Sequence, residues 1–160
     1  MIDGERQRVY SVEDAWAHAL DRGGLVDFFG SRFSLPRQRI LGDLNALQLT
    51  AAAWLADEAC AAWYPPRGEL LIRPRKGHGR AHYESTGVIA IPVQSDWACR
   101  ESVLAHEIAH HLSWDSQLAP HDANFRLAMT RVAEIAFGPQ AALLLRAGYD
   151  GAGLAVAHVD

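Results

Sequence analysis

Long apolar runs are missing from this 160-residue chain. No stretch approaches the ~20 apolar residues that a bilayer-spanning helix requires, so no membrane span is expected. The opening MIDGERQRVY is charged and has no apolar centre, unlike a secretory signal. Cysteine is scarce. Cys60 and Cys99 show no metal-type spacing and are expected to be free thiols in a reducing compartment, which points to the cytoplasm. Positive charge does not dominate either: the net charge of −4 argues against a general nucleic-acid coat but leaves room for a local basic patch. Internal repeats and low-complexity linkers are absent. The length then fits one domain over residues 1–160, large enough for its own core.

What is present reads as helices around a small β-rich centre. SVEDAWAHALDRGG (11–24) predicts a first helix, with Ser11 as cap and Gly23–Gly24 as stop. A longer helix is expected over 43–64, capped by Asp43 and ended by Pro65 and Pro66, with Trp54 and Trp63 in the core. GELLIRP, RAHYES and GVIAIPV are short β-type runs that predict an antiparallel meander over 69–93, with Pro74 and Pro92 marking strand ends or an edge. Helix returns over 96–113, over 122–137 up to Gly138–Pro139, and in QAALLLRAG. The expected class is α+β.

The chemistry is concentrated in VLAHEIAHHL (103–112). At helical pitch His106 and His110 lie about 40° apart, so both imidazoles project from one face a turn apart. Glu107 stands about 100° from His106, beside a shared metal but not placed as an equal ligand. Trp97, Leu104, Ile108 and Leu112 gather on the opposite, apolar side. In an H-E-x-x-H pattern two neutral imidazoles hold zinc and the glutamate takes a proton from the metal's water. With eight histidines and as many glutamates, chance would produce the pattern only about 0.02 times. A metal site with one Zn2+ per chain is therefore expected, with Glu107 as catalytic base. His111 falls between the two faces and is expected to play a structural part.

A catalytic zinc normally has three protein ligands and an open position. The metzincin spacing would need glycine at 113 and histidine at 116, where this chain has Ser113 and Ser116. His121, after Pro120 at the start of the next helix, is the favoured third ligand. Glu134 on that helix is the thermolysin-like alternative.

His106, Glu107 and His110, followed by His121 and Phe125, resemble the SprT-like minimal metallopeptidases, in which the third zinc ligand opens a helix; Asp122 stands here where those proteins have glycine. On RQRVYSVEDAW, the β-rich centre and VLAHEIAHHL, the whole chain is similar to an actinobacterial family of zinc metallohydrolases of about this length. The resemblance implies a zincin-like fold and a hydrolase and gives no substrate; the chain is read as a zinc metallohydrolase, with a peptide or protein as the expected substrate.

Other features bear on substrate. GVIAIPV is read either as an edge strand on which an extended peptide could pair or as an ordinary core strand. Arg67, Arg73, Arg75, Lys76 and Arg80 form a basic stretch (67–80) that could attract nucleic acid or acidic peptide. Tyr83, His82 and Tyr149 are the candidate donors to a transition-state oxyanion. The rival readings are a structural zinc in a binding module and a DNA-associated protein.

Overall fold

A computed structural model describes residues 2–159 and shows an α+β chain. Helix α1 (Arg6–Arg22) is followed by a hairpin of β1 (Gly24–Phe28) and β2 (Ser31–Leu35), then by α2 (Leu44–Leu55) and α3 (Glu58–Trp63). Strands β3 (Leu71–Pro74), β4 (His82–Glu84) and β5 (Val88–Ile91) precede α4 (Glu101–Ser113), α5 (Ala123–Phe137) and α6 (Pro139–Gly151). No described helix is long and apolar enough to cross a membrane.

The first helix begins earlier than expected. Ser11 is not its cap but lies inside it, where its hydroxyl donates to the Gln7 carbonyl at 3.0 Å. Gly23 ends the helix as expected, with φ 63°; a Cβ there would come within 2.9 Å of the Arg37 amide nitrogen. The expected single helix over 43–64 is two. Asp43 caps α2 through the Ala46 amide, but Asp57 adopts an extended conformation and caps α3 through the Ala59 amide. A carboxylate that satisfies helix-end donors restarts the helix there. Trp54 is core, whereas Trp63 is only partly buried, with the Arg131 guanidinium over its ring. The β1–β2 hairpin, turning at Gly30, lies outside every element expected above.

The three-stranded sheet departs most from expectation. Its order is β3-β5-β4, with β3 parallel to β5 and only β4 antiparallel. The composition of the strands explains this. Ile89, Ala90 and Ile91 are fully buried, as suits a central strand covered on both faces, while His82–Glu84 is polar and takes an edge. GVIAIPV is thus not an edge strand, and no incoming peptide can pair with β5. Pro74 and Pro92 do mark strand ends.

Helix α4 starts at Glu101 rather than at residue 96, and Trp97 stays outside it, partly exposed. The start is set by residues 38–41. The Gln38 side chain accepts from the Ser102 amide at 2.8 Å, and the Glu101 carboxylate accepts from the Arg39 amide at 2.6 Å. Leu104, Ile108 and Leu112 are buried as the apolar back. Packing against α5 encloses the other face, so the histidine side of α4 also lies within the fold.

Candidate metal centre

His106, His110 and His121 are each about 95% buried, and their ligand atoms lie within 4.8 Å of one another. His106 and His110 project from one face of α4. His121 reaches them from the entry to α5, where Asp122 caps the helix by accepting from the Asn124 and Phe125 amides. Arg126, buried one turn into α5, fixes that entry by donating to the His121 carbonyl at 2.8 Å and to the Ala155 carbonyl at 2.7 Å. Phe125 forms an apolar floor, with its ring centroid 4.4 Å from His110, 4.9 Å from His106 and 5.0 Å from His121. Glu134 is exposed and borders a separate groove with Trp63 and Arg146, so the thermolysin-like ligand set is not assembled.

The imidazoles are oriented for a cation. His121 Nε2 lies 3.2 Å from His110 Nε2 and 3.3 Å from His106 Nε2. Two nitrogens tetrahedrally bound to zinc at ~2.0–2.1 Å are about 3.3 Å apart. The outer nitrogens set the tautomers. His106 Nδ1 donates to Glu13 at 2.5 Å and His121 Nδ1 donates to Asp3 at 2.6 Å, which turns both Nε2 lone pairs inward. Lone pairs converging this closely repel one another unless a proton or a metal sits among them. The donor set fits zinc.

Neither carboxylate contact is apparent in the motif. Asp3 and Glu13 come from the N-terminal segment, 118 and 93 residues away from their histidines. Glu13 is itself held by Tyr149, whose hydroxyl donates to it at 2.6 Å. Such partners fix ring orientation and raise ligand basicity. Glu13→Gln and Asp3→Asn are each expected to weaken zinc binding by about 10–100-fold without abolishing it. A competition titration against a chromophoric chelator measures this; unchanged affinity in both variants would remove the positioning role.

Two of the three imidazoles are held toward the neutral form that a metal ligand needs. Burial lowers the His110 pKa well below its usual value, helped by His106 and His121. Burial and His106 lower His121, against the pull of Asp3. At His106 burial also disfavours the charge, but Glu13 outweighs it and raises the pKa. Glu107 is pushed up to about 7 by burial and by Glu13, against the lowering effect of His106. Its Oε2 is buried without a hydrogen-bond partner among the described residues.

Glu107, His110 and His121 border an open cavity of about 340 Å³, together with Tyr10, His82 and Tyr83. Tyr83 Oη is hydrogen-bonded to His111 Nδ1 at 3.0 Å, so His111 braces the cavity wall and stays outside the triad. Tyr149 is fully buried against Glu13 and cannot reach a substrate, and both ring nitrogens of His82 are engaged, by Arg75 at 3.0 Å and Glu84 at 3.2 Å, leaving Tyr83 of the three candidate oxyanion donors. The basic stretch is largely engaged within the fold. Arg67 donates to the carbonyls of His111 and Trp114, and Arg73 pairs with Glu84 at 2.5 Å. No protein-family model matches the chain, and no curated protein or solved structure matches it significantly.

Proposed function

We propose that this protein is a zinc-dependent metallohydrolase with a zincin-like site, cleaving an amide bond in a peptide or protein. The observation that carries the reading is the convergence of three buried imidazoles, with His121 Nε2 3.2 Å from His110 Nε2 and 3.3 Å from His106 Nε2, beside a buried Glu107 oxygen that has no partner among the described residues. His106, His110 and His121 would hold one zinc, which supplies Lewis acidity toward water and a carbonyl oxygen. Glu107 accepts the proton of the attacking water and returns it to the departing amine nitrogen. Burial raises the Glu107 pKa in the metal-free chain, the direction that favours a proton acceptor able to give the proton back. Tyr83, on the edge strand beside the cavity, is our candidate donor to the substrate carbonyl, since both ring nitrogens of His82 are engaged by Arg75 and Glu84. A structural zinc would not need a free carboxylate at this position. The two buried free cysteines suit a reducing compartment, and we assign the protein to the cytoplasm.

Zinc-loaded protein is expected to cleave members of a broad peptide library, to stop on chelation, and to recover with one equivalent of zinc. Protein that holds zinc but turns over no peptide would reassign the site to a structural role.

A further inference from the structure

On an acidic chain, the cavity over the triad is walled by cations. Arg6, Arg75 and Arg80 line it, and its carboxylates are Asp3 and Glu107. Asp3 is bonded to His121. Arg80 has Asp14 at 3.7 Å, while among the described residues neither Arg6 nor Arg75 pairs with a carboxylate. Arg75 is held in place instead, donating to the Arg80 carbonyl at 2.7 Å and lying 3.0 Å from His82 Nδ1.

Tyr10 sets the distance between these charges and the triad. Its ring stacks on His106 with centroids 5.5 Å apart and meets His121 edge-on at 5.2 Å. The Arg80 and Arg6 guanidinium carbons stand 4.4 and 5.4 Å from the same ring centroid. One aromatic ring therefore separates Arg6 and Arg80 from the imidazoles of His106 and His121, and Arg75 lines the same cavity.

A nucleic-acid face would spread its cations along a track to follow phosphates. Here Arg67 and Arg73 are engaged by other groups of the chain, and Arg75 and Arg80 join Arg6 in one cavity, with Lys76 exposed outside it. Its volume of about 340 Å³ is near the lower end of the ~300–1,000 Å³ typical of small-molecule sites. That size suits the end of a chain better than its middle.

We infer that the site takes the carboxyl terminus of a short peptide, with the free carboxylate held by Arg6 and Arg75 and the scissile amide over the triad. Guanidinium groups bind carboxylates through charge-assisted hydrogen bonds, which gives them a reason to stand unpaired at this distance. The inference rests on the metallohydrolase reading.

The test uses the full chain loaded with cobalt, whose visible spectrum reports on the metal. The probes are succinic monohydroxamate and its neutral carboxamide isostere. The anionic probe is expected to bind about tenfold more tightly, the scale of one charge-assisted contact. Arg6→Gln and Arg75→Gln should each reduce that preference, and the double variant should bring it close to one. Acetyl-dialanine as free acid should compete better than its amide. Equal binding of the two hydroxamates, or a preference that survives in the double variant, overturns the inference while leaving the metal site intact. Displacement of the anionic probe by a short oligothymidylate, with no difference between the two dialanine forms, reassigns the cations to phosphate. Absence of a cobalt spectrum defeats the metallohydrolase reading and this inference with it.

Discussion

His121→Ala is expected to strip the protein of zinc, whereas Glu134→Ala should leave it fully loaded. The three imidazoles act as a set. His121 Nε2 is the atom within 3.2 Å of His110 and 3.3 Å of His106. Removing it leaves two nitrogens on one helix face and opens a second solvent position on the metal. The loss should exceed the ~10–100-fold typical of disturbing a ligand's hydrogen-bond partner. It also leaves Asp3 without the imidazole it orients, so a negative charge remains near the site with no ligand to position. Glu134 is exposed on the far side of α5 and borders a different groove, which predicts no effect on metal content. Elemental analysis of chelator-free preparations and a zinc titration measure both variants, with circular dichroism to confirm the fold. Retention of zinc by His121→Ala, or its loss from Glu134→Ala, would overturn the ligand assignment. Wild type that is metal-free and indifferent to added zinc would overturn the centre itself.

The three histidines of the buried group were legible in the sequence for a local reason. His106 and His110 are four residues apart on one helix, so pitch alone places them together, and Pro120 with the Asp122 cap signals that His121 opens the next helix. The residues that orient them were not legible. Glu13 and Asp3 reach the triad only because α1 packs against α6 and crosses the mouth of the site, a tertiary arrangement without a local signature. The sheet shows a related limit. Runs adjacent in sequence suggest hairpins, yet burial decided which strand lies in the middle. Val88–Ile91 is apolar throughout and moved to the centre, leaving His82–Glu84 on the edge beside the cavity. The basic stretch was visible as composition, but its function depends on partners. Arg73 finds Glu84 and Arg67 finds two backbone carbonyls, and neither could be read from spacing.

This division has a consequence for stability. The centre joins α4 and the nearby entry to α5 to the N-terminal segment, 93 and 118 residues away in the chain. A ligand that binds the folded chain in preference to the unfolded one stabilises it by mass action. Zinc would therefore hold α1 against the rest of the molecule as well as serve the site. The Arg126 contacts to Glu5 at 3.1 Å and to the His121 carbonyl supply part of that attachment without metal.

Glu107→Gln separates metal binding from chemistry. The substitution preserves shape and removes the basic carboxylate, while the triad and its Asp3 and Glu13 partners remain. Zinc content should stay at one per chain. Stability should hold or rise in the metal-free protein, because a neutral amide replaces a fully buried carboxyl that burial already drives toward its protonated form. Hydrolysis should fall by at least the ~10²–10⁴-fold that a positioned acid–base group contributes, since Asp3, the other carboxylate lining the cavity, is tied through Oδ2 to His121. The three readings diverge when turnover and metal are measured on the same samples. A catalytic centre gives zinc in both proteins and activity in wild type alone. A structural centre gives zinc in both and activity in neither, and a chance motif gives zinc in neither. Full turnover by zinc-loaded Glu107→Gln would show that the water is activated without this carboxylate.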